Sequence, residues 1–381
     1  MDFTYDDEQQ ALREAVRGLL RTAYADHEAR RQAAASDDGF DRALWGRLAE
    51  MGVLGLPFSE DDGGVGAGPV EVGIVCQELG RVLAPEPYLA SVVHAGGLVA
   101  AVGSAEQKAD LLGRLSAGEI VLAAADTSPG GRWASRADGV RASVSDGAWT
   151  LDGVADPVVG GEAADVLVVA AALPDGDGGT GVFLVAADDV IRTGYAAADL
   201  TRAASVTFDG SAATPLGKPG RDLSASIATI SDLTRIMGAN QALGVMQSQV
   251  RATTDYLKSR QQFGVTLNTF QALTFRAADM YVELELAHSM VDWATMTIAG
   301  GDRDVVADAA DRVGLAVARA GRHIGQEAVQ LHGGIGMTAE YAVGVGTAHL
   351  EVLDQWLGNA HHHLTRLAGR VTDHELVEAL S

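Results

Sequence analysis

The stretch DYLKSRQQFGVTLNTFQALTFRAADMY, from Asp255 to Tyr281, decides the fold of this chain. One helical pattern ends just before RQQFG, and a second begins near Asn268. Asn268 is predicted to cap the second helix, and Gln271 can reach back to it as in a capping box. Capping does not explain why Arg260 and Phe263 stand at a corner between two helices. We therefore look for a second function of this corner.

The stretch QLHGGIGMTAEYAVG, from Gln330 to Gly344, places Gly333, Gly334 and Gly336 within four positions. A Gly-Gly pair after a periodic apolar segment commonly ends a helix, because glycine adopts the left-handed conformation that closes it. Glycine also lets a backbone come close to a large phosphate-bearing ligand. Taken alone, the pattern favours the helix end, and its context must decide whether a ligand is involved.

Composition predicts a globular chain with an acidic surface. The 381 residues are 47% hydrophobic, which is enough for a sizeable core. The formal net charge of −23 disfavours nucleic acid and anionic lipid as partners, so a polyanionic ligand would need a local basic pocket. The single cysteine, Cys76, cannot form an internal disulfide, and no charged-then-apolar leader begins the chain. With no long apolar run either, these features predict a protein of the reducing cytoplasm that spans no membrane.

The residue pattern changes twice along the chain, from helical to β-like and back. We predict an N-terminal α-helical domain at 1–118, a central β-domain at 119–222 and a C-terminal four-helix bundle at 223–381. The β-like runs are IVLAAAD, GVRASVS, AWTLDG, DVLVVAAAL, GVFLVAA and AASVTFDG. The long helical segments are predicted near 224–258, 269–299, 303–331 and 345–370. The fold class is therefore α+β, with a helical bundle and an inserted β-barrel-like domain.

The chain resembles the acyl-CoA dehydrogenase family over nearly its whole length. The resemblance rests on the order and spacing of SRQQFG, FQ, QLHGG and EY, the last pair being Glu340 and Tyr341. The stretches MDFTYDDEQQALREAVR, LAEMGVLGLPFSEDDGGVG and GSAEQKADLLGRLSAGE agree with it as well. Each motif is weak alone, and their joint order supports the resemblance.

The resemblance implies FAD as cofactor, with a binding site divided between subunits. In the family, the flavin ring lies against the β-domain of one subunit, and the adenosine diphosphate end crosses into a neighbouring subunit. The residues that would receive this end are Arg260, Gln262, Phe263, Gln271, Gln330, His332, Gly333 and Gly334. A guanidinium suits a pyrophosphate, and glycines admit its backbone contacts. The glycine-rich stretch is thus interpreted as part of a binding site for the dinucleotide of a neighbouring subunit.

The resemblance also implies a glutamate base, which removes the α-proton of an acyl-CoA thioester while the β-carbon gives hydride to the flavin. The family places this base at one of two positions, which here hold Thr234 and Leu357. Asp354 lies about one helical turn before Leu357, and Glu351 lies another turn away. Extra carboxylates on so acidic a protein are usually solvated. We therefore predict that this chain supplies no catalytic residue.

The side that would face the chain's own flavin ring is depleted as well. Ala155, Pro157 and Val159 stand where the family has a lysine, a tryptophan and a threonine. Pro157 has no amide proton to donate to the neighbouring strand. It also replaces the aromatic ring that would cover the flavin. Trp133 and Trp149 could lie nearby, but an indole in a β-domain usually belongs to the core.

We interpret the chain as a subunit that completes the FAD site of a catalytically complete homologous subunit. It resembles the non-catalytic member of the heteromeric α2β2 acyl-CoA dehydrogenases of actinobacterial sterol side-chain breakdown. Two alternatives stay open: a homo-oligomeric flavoenzyme with Asp354 as a displaced base, and a scaffold or binding protein without FAD. The implied partners are an acyl-CoA thioester and, in a heterotetramer or homo-oligomer, another chain of this family.

Two further groups of residues have modest interpretations. His361, His362 and His363 are consecutive on a helix and point in different directions, so no shared metal ion is predicted. Asp232 and Arg235 match positions near the thioester in some relatives and could equally form a surface pair.

Overall fold

The N-terminal part of the chain is helical in the computed structural model, which describes residues 4–131, 133, 138–174, 179–338 and 341–373. Its helices are α1 (Asp7–Ala23), α2 (His27–Ala34), α3 (Arg42–Glu50), α4 (Pro69–Arg81), α5 (Gly97–Val102) and α6 (Ala105–Ser116), with a π-helical segment at Tyr88–Gly96. Capping boxes begin α1 and α6, formed by Asp6 with Gln9 and by Ser104 with Gln107. These reciprocal bonds satisfy amides that the first helical turn leaves unpaired.

The central domain is a closed, barrel-like sheet, as predicted. Its strands are β1 (Leu122–Ala125), β2 (Val140–Ser145), β3 (Ala148–Val159), β4 (Val166–Ala172), β5 (Thr180–Ala186), β6 (Ile191–Ala196) and β7 (Arg202–Pro215). Strands β2, β3, β7, β5 and β4 form a ring, because β4 pairs with β5 and also, through Arg141 and Ala172, with β2. β1 joins β4 in parallel, and β6 joins β7 antiparallel. Inward side chains such as Leu151, Val169 and Val206 fill the barrel.

The C-terminal domain is a helical bundle built on one long helix. Its helices are α7 (Ser224–Ser259), α8 (Gln271–Ala299), α9 (Arg303–His332), α10 (Ala342–Leu357) and α11 (Ala360–Gly369), and the hairpin of β8 (Gln261–Gln262) and β9 (Val265–Thr266) links α7 to α8. α7 also packs on α4, where a Cβ at Gly80 or Gly244 would overlap the backbone of the facing helix. No helix among the described residues is both long and apolar enough to cross a membrane.

The capping prediction at the corner between α7 and α8 is wrong. α8 begins at Gln271 after Phe270, and no side chain caps it. Asn268 instead accepts a hydrogen bond of 2.6 Å from Thr266 Oγ1. Asn268 belongs to a short 3₁₀ turn that directly follows the hairpin, and this local side-chain bond competes with capping.

The fourth predicted bundle helix, 345–370, is two helices. α10 ends at Leu357, Gly358 takes a φ of 120°, and Asn359 caps α11 by accepting a bond from the amide of His362. Glycine commonly ends a helix and asparagine commonly begins one. The apolar periodicity that continues through both segments hid this break, so the bundle has a fifth helix.

Within its predicted range, the β-domain contains one described strand, β6, that the sequence did not predict. β6 was missed because most of its residues are exposed, which removes the alternation of buried and exposed positions that marks a strand. β3 was expected to end near Gly153 but continues to Val159. A register shift against β7 between Ala155 and Val158 accommodates Pro157.

We propose that the domain divisions lie at 118/119 and 222/223. The nearest elements support them, since α6 ends at Ser116, β1 begins at Leu122 and α7 begins at Ser224. The polar, glycine-containing segments between these elements are typical of domain junctions.

Candidate functional site

A depression of about 300 Å³ lies where the corner between α7 and α8 meets the end of α9. We call it the corner pocket. Five of the residues predicted from the sequence line it: Arg260, Gln262, Gln330, His332 and Gly333. Residues far apart in sequence thus converge on one surface, as the motif order predicted.

Arg260 has a fixed backbone and an available side chain. Its amide donates to the carbonyl of Tyr256 at 2.8 Å, and its own carbonyl accepts from the amide of Leu267 at 2.9 Å. The side chain is exposed, and no described carboxylate pairs with it. Arg276, which also lines the pocket, is by contrast held by Glu327, whose oxygens lie 2.5 and 2.9 Å away. Arg260 is therefore the arginine that can receive an external anion.

The other three predicted residues flank the corner pocket and do not line it. Phe263 is 92% exposed, has a φ of 54° and meets Phe270 edge to face at 6.2 Å. Gln271 occupies the first position of α8, and Gly334 lies in a short 3₁₀ turn after α9. The first turn of α8 has no side-chain cap, and the amide of Leu273 bonds to the carbonyl of Phe270 at 3.0 Å.

Gly333 ends α9 and also leaves room beside it. Its φ is 63°, and its amide bonds to the carbonyls of Gln330 and Val329. No heavy atom lies within 4 Å of the place where a Cβ would stand. Gly333 therefore does end the helix, and a ligand has room to approach its backbone closely.

His332 is a buried polar residue of the corner pocket. Its ring stacks on Tyr256 at 4.5 Å and lies 5.0 Å from Tyr341, and its Nδ1 donates to the carbonyl of Ala328 at 2.8 Å. Burial lowers the pKa of His332, although the bond to Ala328 opposes the shift. Glu340, the neighbour of Tyr341 in the EY pair, lies outside the described residues.

A second cavity, of about 460 Å³, separates the β-domain from the bundle. We call it the interdomain cleft. Residues of the β-domain, α7, α10 and α11 line it, among them Thr127, Trp133, Pro157, Thr234, Arg235, Trp356, Leu357 and Arg366. Its volume is in the range of small-molecule sites.

Neither expected base position brings a carboxylate into the cleft. Thr234 is buried, and its hydroxyl donates to the carbonyl of Ile230 at 2.7 Å. Leu357 ends α10 and covers Gly238, where a Cβ would overlap its Cδ1. The two positions therefore provide packing but no base.

Asp354 and Glu351 face a different cavity. It measures about 450 Å³, lies among α7, α9, α10 and α11, and is lined by both carboxylates and by Arg322. Burial raises the pKa of Asp354 to about 6, with Glu351 adding to the rise and Arg322 opposing it. The described lining of the interdomain cleft contains neither carboxylate. Arg235 and Leu357 stand between the two cavities, because they line both.

The cleft contains two pairs of ionisable side chains that are largely shielded from solvent. Asp126 lies 3.0 Å from His94, and Asp232 lies 2.6 Å from Arg235. Burial alone would raise the pKa of Asp126, but His94 lowers it below its usual range. Burial does raise the pKa of Asp232, although Arg235 opposes the shift. The interpretation of Asp232 and Arg235 as a surface pair is therefore wrong.

No sequence motif predicts the pair between His94 and Asp126. His94 belongs to the apolar π-helical segment, and Asp126 follows β1 in another domain. Arg235 has a further contact that the sequence did not indicate, since its Nε donates to the carbonyl of Leu357 at 2.9 Å. Only the packing of segments that are distant in sequence brings these groups together.

Trp133 and Pro157 line the same part of the chain's surface, the interdomain cleft. Trp133 lines the cleft, donates from Nε1 to the carbonyl of Gln355 at 2.9 Å and lies 4.9 Å from the ring of His362. Trp133 is therefore not part of the core, contrary to the prediction. Trp149 does belong to the core and packs on Phe183 at 5.2 Å.

Hydroxyls at the start of the β-domain are already engaged within the chain. Ser128 donates to Asp138 at 2.6 Å and accepts from the amide of Gly139. Thr127 donates to Asp126 at 3.4 Å. This leaves few side-chain donors for a planar ligand in the cleft.

The three consecutive histidines have separate surroundings. His363 is buried against Asp311 at 3.1 Å, and His362 lies against Trp133. Within the described residues, no group of three or more histidine, cysteine or acidic side chains could hold a metal ion.

Comparison with known proteins gives matches over both helical domains. The model described as "Acyl-CoA dehydrogenase, N-terminal domain" matches residues 6–119, and "Acyl-CoA dehydrogenase, C-terminal domain" matches residues 225–372. Acyl-CoA dehydrogenase FadE27 of Mycobacterium tuberculosis is 32% identical over 356 residues, which are 90% of this chain and 91% of FadE27. Acyl-CoA dehydrogenase IpdE2 of the same organism is 32% identical over 343 residues, 89% of each chain.

Solved structures superpose on nearly the whole chain. A chain of the ChsE4–ChsE5 complex from Mycobacterium tuberculosis is 28% identical, with a TM-score of 0.88 and coverage of 99% of this chain and 100% of that chain. A chain of a variant of the Tcur3481–Tcur3483 steroid ACAD is 29% identical, with a TM-score of 0.85 and coverage of 96% and 98%.

Proposed function

Because this chain belongs to the acyl-CoA dehydrogenase family, we propose that it is an acyl-CoA dehydrogenase subunit that completes the FAD site of a homologous catalytic subunit. In this family, FAD supplies an acceptor for the hydride that leaves the β-carbon of an acyl-CoA thioester. The present chain would bind the adenosine diphosphate end, and the partner would supply the ring pocket and the base.

The donor set of the corner pocket fits an adenosine diphosphate group. Arg260 offers a guanidinium without an internal partner, and Gln262 and Gln330 offer exposed amides. The open space at Gly333 leaves room for the ligand. The local guanidinium also overcomes the repulsion that a chain with a net charge of −23 would otherwise exert on a pyrophosphate.

The proposal rests on the difference between the corner pocket and the interdomain cleft. Arg260 faces outward without a described partner, whereas Thr234 and Leu357 occupy both base positions. A chain that kept its own chemistry would need a carboxylate beside the substrate carbon and side chains that cover the flavin ring.

An exposed apolar row on α8 supports assembly with another chain. Phe275, Val282 and Leu286 are 60%, 55% and 60% exposed and share one face of the helix. The names of two similar structures each describe an assembly of two different proteins, ChsE4 with ChsE5 and Tcur3481 with Tcur3483. Both observations favour a heteromeric complex for this chain.

A homo-oligomeric flavoenzyme with Asp354 as base is the second candidate. The raised pKa of Asp354 favours it, because perturbed carboxylates gather at catalytic sites. Its position opposes it, because Asp354 lines the bundle cavity behind Leu357. An FAD-free scaffold is the remaining candidate, and it predicts that no variant of the corner pocket changes flavin content.

The test is the flavin content of the complex formed by co-expression with an acyl-CoA dehydrogenase encoded beside this chain. Arg260→Ala should lower the affinity for FAD by roughly 10- to 150-fold, because a charge-assisted hydrogen bond contributes about 1.5–3 kcal/mol. Arg251→Ala is the matched control, since Arg251 is an 83% exposed arginine on the same helix. Equal flavin retention in both variants would show that Arg260 has only a structural role.

A further inference from the structure

One ring nitrogen in the corner pocket is buried without a partner. His332 is 3% exposed, and its Nε2 makes no hydrogen bond with any described residue. Buried polar atoms are nearly always paired, so an unpaired one calls for a missing partner. His332 lines the corner pocket, so a ligand there can supply it.

The bonding of the other ring nitrogen fixes what that partner must be. Nδ1 lies 2.8 Å from the carbonyl of Ala328, and a carbonyl oxygen can only accept. Nδ1 therefore carries the proton, and in a neutral imidazole Nε2 is then an acceptor. Burial lowers the pKa of His332, which keeps the ring neutral at physiological pH. The missing partner must be a hydrogen-bond donor.

The surroundings of Nε2 favour a flat, nitrogen-rich donor. The imidazole lies between the rings of Tyr256 and Tyr341, which hold its edge in a fixed direction. The exposed amides of Gln262 and Gln330 line the same pocket and can each donate and accept. An aromatic setting with amides and one fixed acceptor is typical of sites that read the edge of a nucleobase.

We propose that His332 is a specificity-determining residue that accepts a hydrogen bond from the exocyclic amine of adenine. This inference rests on the proposed function, because it assigns a role within the same dinucleotide site. A purine with a carbonyl in place of the amine, such as hypoxanthine, would turn an acceptor toward Nε2 and leave the nitrogen unpaired. Such a mismatch weakens binding, because the purine carbonyl and Nε2 of His332 are both acceptors and neither has a donor.

The experiment compares ADP and IDP, which differ in this group of the base, by calorimetric titration of the purified full-length chain. Wild type should bind ADP roughly 2- to 12-fold more tightly than IDP, the value of one neutral hydrogen bond. His332→Phe keeps a ring for stacking and should abolish the preference. His332→Gln keeps an acceptor near Nε2 and should retain it. Arg260→Ala should weaken both nucleotides and leave their ratio unchanged.

The outcomes separate this inference from the function on which it rests. Equal binding of ADP and IDP by wild type, or an unchanged ratio in His332→Phe, would overturn the role of His332 while the dinucleotide site stands. If wild type binds neither nucleotide, the corner pocket is not a dinucleotide site, and both ideas fail.

Discussion

At the scale of single residues, Leu357 has a packing role at one of the two positions where a base was expected. Its side chain covers Gly238, and its carbonyl accepts a bond from Arg235. A glutamate at this position would place a charge in an apolar contact, and Arg235 would still be held by Asp232. The position has thus become part of the packing between α7 and α10.

The buried carboxyl of Glu86 predicts how the stability of the protein depends on pH. Tyr24 donates to this carboxyl at 2.5 Å, and burial raises its pKa to about 7. The folded protein therefore keeps a proton that the unfolded chain loses near its ordinary pKa, so stability falls as the pH rises through about 7. The shift corresponds to roughly 3 kcal/mol.

Glu86→Gln should therefore reduce the loss of stability between pH 5 and pH 8, as measured by urea unfolding at both pH values. Glu50→Gln, at an exposed carboxylate on α3, should change nothing. If the unfolding free energy of Glu86→Gln falls with pH as much as that of wild type, Glu86 is ionised throughout this range.

The sequence predicted which residues would lie together in the corner pocket better than it predicted their surroundings. Arg260 and Gln330 were predicted because their motifs recur in a fixed order, and this order survives in the fold. The stacking of His332 on Tyr256 and the pair of His94 with Asp126 depend on contacts between distant segments. A single sequence contains no periodic signal for such contacts.

At the scale of elements, the crossing of α4 and α7 joins the two helical domains. Gly80 and Gly244 lie in this crossing, and a Cβ at either would overlap a carbonyl of the facing helix. Close backbone contact of this kind needs glycine, because the rigid helices cannot both move away. The packing of the N-terminal domain on the bundle therefore depends on these two positions.

Gly244→Ala should destabilise the protein by about 1–3 kcal/mol, the usual cost of overpacking. The matched control is Gly18→Ala in α1, where no atom lies within 4 Å of an added Cβ. It should instead stabilise the protein by roughly 0.5–1 kcal/mol through helix propensity. Denaturant unfolding measures both, and a neutral Gly244→Ala would mean that the crossing is looser than described.

Elements were predicted well where periodicity was strong and poorly where local bonds compete. The long helices α7, α8 and α9 follow from apolar spacing alone. The end of α10, the start of α8 and the exposed strand β6 do not, because each depends on a particular turn, hairpin or neighbouring strand. Local side-chain bonds such as that of Thr266 with Asn268 decide these boundaries.

At the scale of the whole molecule, the corner pocket and the interdomain cleft differ in the groups that they present. The outer surface at the corner pocket presents an arginine, amides and an open glycine turn. The interdomain cleft is lined by Trp133 and Leu357 and has no carboxylate at either position expected for a base. This difference is what the proposed function predicts for a subunit that serves a neighbour's FAD.

The most direct test measures flavin absorbance and electron-acceptor reduction with acyl-CoA thioesters for the chain alone, for Leu357→Glu alone and for the co-expressed complex. The chain alone should contain little FAD and show little turnover, since a general base commonly contributes about 10²–10⁴-fold. Leu357→Glu should remain far below the complex, because the flavin wall would still be missing. A single chain that purifies yellow and turns over as fast as the complex would contradict the account.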